Sequence, residues 1–141
     1  MDQTLTLKLL EFHKALVTLR EALEIFDVNN ILVRDATIKR FEYSYELCWK
    51  TSKAFLKEKK GDLVVAPKEC FKALGKYKIL SPDEIETALV MVDDRNETTH
   101  AYGENFIKGL YPRIKEYCVL ISKIYQAISG HDLIFYNALY V

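Results

Sequence analysis

The chain has 141 residues, 50% of them hydrophobic and 28% charged, and its 20 basic and 20 acidic side chains balance to a formal net charge of zero. That length suits one domain with a sizeable core, and the charge balance excludes the global basic field that would by itself argue for nucleic acid. No apolar run approaches the length of a membrane span. Asp2 and its polar neighbours stand where a secretory signal would carry basic residues and an apolar block, so a cytoplasmic protein with no membrane contact is expected.

Leu5, Leu9, Phe12, Leu16, Leu19, Leu23 and Phe26 recur at alternating steps of four and three, which lays one apolar stripe along a first helix. Asp27-Val28-Asn29-Asn30 reads as its end. A second helix is expected from about Val33–Asp35 to about Lys59, with Ile38, Phe41, Tyr45, Cys48, Ser52 and Phe55 on one face and Trp49 and Leu56 widening it. Cations in its last turn and Gly61 beyond them suit the helix dipole and a C-terminal cap. Pro67 opens a short helix through about Leu74, which Gly75 ends. Ser81-Pro82-Asp83-Glu84 is a capping box with proline at the first helical position, after which Ile85, Leu89 and Val92 face inward.

The last long helix restarts after Gly103-Glu104 and carries Phe106, Ile107, Leu110, Ile114, Tyr117, Cys118, Ile121, Ile124, Tyr125 and Ile128. Pro112 implies a kink or a late start, because it removes a backbone donor and crowds the preceding turn. Alternating strand patterns are almost absent. The expected class is all-α: an antiparallel bundle of four or five helices over residues 1–130, followed by an apolar tail, 131–141, of unassigned role. A clasp over its own bundle is favoured for that tail over a strand or a contact with another chain. Cys48, Cys70 and Cys118 each fall within an apolar pattern and read as buried thiols rather than a disulfide framework or zinc site.

Between the last two helices lies Asp93-Asp94-Arg95-Asn96-Glu97-Thr98-Thr99-His100-Ala101-Tyr102, too polar for a core. It offers a fixed cation, an amide, a group that titrates near neutrality and a phenol, which together suit phosphate chemistry. On an unbroken helix Arg95 and His100 would point about 140° apart, so the helix is expected to end or distort between them. Thr98 and Thr99 agree, being β-branched and carrying hydroxyls that compete for backbone partners. The bland alternative is a surface Arg paired with an acidic neighbour and a His ending a helix. A di-iron reading of Glu97-Thr98-Thr99-His100 fails, since the other histidines lack the Glu-x-x-His partner and no metal cofactor is expected.

An arginine and a histidine separated by four residues are common by chance; a tyrosine two residues further makes the pattern rare. On Arg95, His100 and Tyr102 the sequence resembles the HEPN superfamily, and more narrowly its branch of nucleotidyltransferase substrate-binding proteins, with the motif Arg-x4-His-x-Tyr. Phe41-Glu42-Tyr43-Ser44-Tyr45-Glu46-Leu47-Cys48-Trp49-Lys50 is similar to the second helix of that branch.

The resemblance implies a toxin–antitoxin pair, in which a minimal nucleotidyltransferase is the partner and the HEPN chain is a metal-independent ribonuclease working as a homodimer on RNA. Carried onto this chain, Arg95 stabilises charge on the scissile phosphate, His100 moves a proton, Asn96 orients the phosphate or the imidazole, and Tyr102 is the hydroxyl that the partner adenylylates. The alternative is a non-catalytic subunit that presents substrate to a separate nucleotidyltransferase chain. The chain itself lacks the Gly-Ser turn and spaced aspartates of that enzyme. Trp49 and the aromatics around Phe41 read as core or dimer contact rather than a base-stacking platform.

Overall fold

The computed structural model describes residues 3–100 and 103–131. Its five helices are α1 (Gln3–Glu24), α2 (Ile31–Lys60), α3 (Pro67–Lys76), α4 (Pro82–Glu97) and α5 (Glu104–Ser129), with no strand among the described residues. Helices α1, α2 and α5 pack on one another, and the α3–α4 pair closes against α2 and α5. The apolar tail beyond His131 falls outside the described residues, as does Tyr102.

Local chemistry sets the helix ends. Asn30 caps α2 by accepting from the Val33 amide at 3.1 Å, so the helix begins at Ile31, earlier than the Val33–Asp35 start expected from sequence. Gly61 ends it in the left-handed region at φ 62°, where its amide and that of Asp62 close on the Lys57 and Leu56 carbonyls at 3.2 and 3.1 Å. A side chain at that φ is strained, which is why glycine suits the position.

Gly75 does not stop α3, which runs on to Lys76. Its role is close approach: a Cβ built there would stand 2.1 Å from Ile85 Cδ1 of α4. Nor does Pro112 delay α5, which begins at Glu104 and continues through it.

The core is aromatic where the long helices meet. Phe12, Phe41 and Phe71 are fully buried, and truncating such a side chain costs about 3–5 kcal/mol. Phe41 stacks on Tyr117 with centroids 5.6 Å apart, joining α2 to α5, and Phe12 meets Tyr125 edge-on at 5.4 Å, joining α1 to α5. All three cysteines are buried free thiols. Because α1 is flanked by both α2 and α5, its buried face is wider than the leucine stripe and takes in His13, Ala15, Val17 and Ala22.

Candidate functional site

Helix α4 delivers the polar stretch to the surface beside α2 and α5. Its start is fixed by the capping box, in which the Ser81 hydroxyl accepts from the Glu84 amide at 3.2 Å and the Glu84 carboxylate accepts from the Ser81 amide at 2.8 Å. Its end falls between Arg95 and His100, at Glu97. The two threonines terminate it by turning back on the chain: Thr98 Oγ1 donates to the Arg95 carbonyl at 2.6 Å and Thr99 Oγ1 to the Asn96 carbonyl at 2.7 Å. Hydroxyls that occupy these carbonyls oppose another turn of α-helix.

The arginine is held from α2. Its side chain is 18% exposed and lies between two carboxylates one helical turn apart, with Nη1 3.5 Å from Glu42 Oε2 and Nη2 3.9 Å from Glu46 Oε1. Nη1 also donates to Thr98 Oγ1 at 3.2 Å. The single Thr98 proton serves the Arg95 carbonyl, with Glu42 Oε2 at 3.3 Å as its alternative acceptor. Among the described residues the buried Arg95 Nε has no hydrogen-bond partner and Nη2 has the long contact to Glu46, so this end of the guanidinium is the less firmly held.

The residue before it is anchored to α5. Asp94 accepts from Arg113 Nε at 2.9 Å and Nη2 at 3.0 Å, and Tyr117 donates its phenol to the same carboxylate. Burial first, and then the bond to Asp94, push the Tyr117 phenol above its ordinary pKa, while the bond to Asp94 raises that of Arg113. Asp93 faces the other way and pairs with Lys68 of α3 at 2.7 Å. Neighbouring positions of one turn therefore tie α4 to α2, α3 and α5.

Asn96 and His100 are exposed, and the His100 amide closes the last turn on the Glu97 carbonyl at 3.2 Å. Beyond residues 101–102, Glu104 opens α5 and is bound by Arg34 of α2, whose guanidinium also meets Asp35 at 3.2 Å. The connection that carries His100 and Tyr102 is thus bracketed by two anchored helix ends.

Sequence marked Glu42 and Glu46 only as members of the second-helix stretch and Tyr117 only as an inward position of the last helix, with no role at the site, and did not single out Arg113 or Arg34. The i, i+4 spacing of Glu42 and Glu46, which places both on one face of α2, was a further signal. No group of three His, Cys, Asp or Glu able to hold a metal occurs among the described residues, and no described helix is long and apolar enough to cross a membrane.

Five helices, the fourth ending in a polar arginine-to-histidine stretch, define an all-α helical-bundle class of protein. Residues 7–130 match the family model "Nucleotidyltransferase substrate binding protein like", and the chain belongs to that family. It is 35% identical to a protein of known crystal structure from Thermus thermophilus, with a TM-score of 0.78 over 83% of this chain and 98% of that one. It also superposes on a tri-AMPylated HEPN toxin from Shewanella oneidensis solved in complex with its MNT antitoxin. There the identity is 12% and the TM-score 0.74, over 93% of this chain and all of that one, a likeness of fold. No curated protein matches the chain.

Proposed function

We propose that this protein is a HEPN-type toxin, a metal-independent endoribonuclease silenced when a minimal nucleotidyltransferase partner adenylylates Tyr102. The observation that carries the reading is the end of α4 between Arg95 and His100, which frees the histidine from the helical register that would turn it away from the arginine. The Shewanella protein of the same fold, a HEPN toxin bound to its MNT antitoxin and tri-AMPylated, supports the partner and the class of modification.

In the proposed reaction the ribose 2′-oxygen attacks the adjacent phosphorus, the O2′–P bond forms and the P–O5′ bond breaks. The 2′-hydroxyl proton passes to a neutral His100 imidazole, and an imidazolium returns a proton to the departing 5′-oxygen. Arg95 Nη2, loosely held by Glu46, offers its protons to the phosphate oxygens as charge builds on them. Exposed Asn96 orients the phosphate.

One histidine cannot both take and give a proton in a concerted displacement, so a second copy of the chain supplies the other. Exposed Ile25, Val28, Ile31 and Leu32 around the α1–α2 turn give that homodimer an apolar surface close to the Arg34–Glu104 anchor. Adenylylation joins the Tyr102 oxygen to the α-phosphorus of ATP and releases pyrophosphate. It adds a negative charge and bulk where the RNA phosphate sits, which blocks the site.

The alternative, a non-catalytic substrate-binding subunit of a two-chain nucleotidyltransferase, draws support from the two carboxylates that hold Arg95. One incubation separates the readings. Purified protein in EDTA should cleave single-stranded RNA to 2′,3′-cyclic phosphate ends. It should lose that activity on addition of partner and ATP, as intact mass rises by adenylyl units that Tyr102→Phe abolishes. A protein inert alone under all conditions supports the binding subunit instead.

A further inference from the structure

A second feature of α2 lies one turn beyond Glu46. Lys50, Lys53 and Lys57 share a face with Trp49, and together with Lys8 of α1 they line an open cavity of about 630 Å³ whose acidic lining residue is Glu58. The Thr51 hydroxyl reaches the Lys8 carbonyl at 3.5 Å and ties α1 to α2 at this level. Trp49 is half-buried: one part of the indole packs on the core and the rest lines the cavity. Lys53 Nζ stands 6.0 Å from the ring centroid, the outer limit of a cation–π contact, so the open face is not firmly occupied.

Glu46 joins this cavity to the arginine. Its Oε2 accepts from Trp49 Nε1 at 3.3 Å and lies 3.3 Å from Lys50 Nζ, while its Oε1 faces Arg95 Nη2 at 3.9 Å. The indole is therefore oriented by the same carboxylate that holds the guanidinium.

We infer, reversing the sequence-based reading of Trp49 as core or dimer contact, that the Trp49–lysine cavity is a subsite for single-stranded RNA, in which one base stacks on the indole and successive phosphates run along the lysine row toward Arg95. This rests on the reading of the Arg95 end as the place where an RNA phosphate sits, and it supplies what that end lacks. Arg95 alone faces two carboxylates and cannot draw a polyanion, whereas the four lysines exceed the acidic groups beside them, Glu58 in the lining and Glu46 against Lys50, and can. Lys50 to Lys57 extend about 10 Å along the helix axis, a path for backbone rather than for a lone anion. An aromatic face with flanking cations is how proteins hold single strands without reading sequence, since every base has a π-face.

Trp49 is the only tryptophan of the chain, so its fluorescence reports on this cavity. The test titrates octauridylate into the full-length His100→Ala protein, which keeps the probe uncleaved. Saturable quenching is expected, with Lys53→Ala/Lys57→Ala weakening it roughly tenfold and making its logarithmic salt dependence shallower by about 0.7 for each phosphate no longer neutralised. Both lysines are exposed, and matching thermal melts show that the variant folds.

Absence of quenching, or quenching indifferent to both lysines, overturns the subsite. So does a fluorescence change elicited by the nucleotidyltransferase partner but not by RNA, which would make this face a protein contact. If octauridylate binds as expected while parent protein leaves RNA intact, the subsite stands and the proposed chemistry of His100 falls. If the parent cleaves RNA but Trp49 stays silent, the reverse holds.

Discussion

Arg113 grips Asp94 through two parallel hydrogen bonds of 2.9 and 3.0 Å, one residue before the arginine of the candidate site. A carboxylate only 13% exposed, clamped by a guanidinium and a phenol, fixes the last turn of α4 against α5. It leaves Arg95 free to face α2. Asp94→Asn keeps the shape and removes the charge. It should lower the unfolding free energy by about 1–3 kcal/mol, read as a lower urea midpoint, and should reduce RNA cleavage as the helix end loosens. An unchanged midpoint would show that the clamp contributes nothing.

Glu46 opposes the role assigned to Arg95, because it shares the guanidinium with any incoming phosphate. Glu46→Gln should lower KM for a short RNA by roughly three- to tenfold, equivalent to about 1 kcal/mol. Stability should change little, since a partly exposed ion pair contributes about 0–1 kcal/mol. Kinetics with a fluorogenic RNA decide it: an unchanged or higher KM would remove Arg95 as the phosphate ligand.

Gly75 lies inside α3, where alanine would ordinarily gain about 1 kcal/mol. Its close approach to Ile85 reverses the sign, because a Cβ would stand 2.1 Å from Cδ1 and 3.0 Å from Cγ1. Gly75→Ala should destabilise by about 1–3 kcal/mol, and adding Ile85→Ala should recover part of the loss. Urea unfolding of the two variants tests this; a stabilised single variant would contradict the packing of α3 on α4.

Alkaline pH should unfold the protein by a route that starts at its thiols. Burial pushes Cys70 up to about 12 and raises Cys48 and Cys118, while burial first of all also raises the phenols of Tyr45, Tyr117 and Tyr125. These groups are neutral in the fold. In the unfolded chain the thiols ionise near pH 9 and the phenols near pH 10. Stability is therefore full below about pH 8 and falls as pH rises through these unfolded values. Urea melts between about pH 7 and about pH 11 should show that decline, and a flat profile would contradict it. Cys48→Ala should make the first part of the slope shallower.

The stripe of Leu5, Leu9, Phe12, Leu16 and Leu19 was legible because helical period and burial coincide on α1, and Ser81 with Glu84 announced α4 through chemistry confined to four residues. The break after Arg95 was legible for the same reason: Thr98 and Thr99 act on carbonyls three residues back. What escaped was long-range or depended on context. Nothing in the spacing links Asp94 to Arg113 on the next helix, or Arg95 to Glu42 two helices earlier. Gly75 and Pro112 carry signals that tertiary packing overrode: Gly75 serves an approach to Ile85, and α5 runs through Pro112. Nor does any local pattern announce the 2.7 Å contact between the Tyr43 and Thr18 hydroxyls that joins α2 to α1.

The most direct test of the central claim is cleavage of a single-stranded RNA in EDTA by the parent protein and by His100→Ala, with product ends identified by mass spectrometry. The account predicts 2′,3′-cyclic phosphate and 5′-hydroxyl ends from the parent and a loss of at least about a hundredfold in rate for the variant. Equal cleavage by both proteins, or none by the parent, would contradict it.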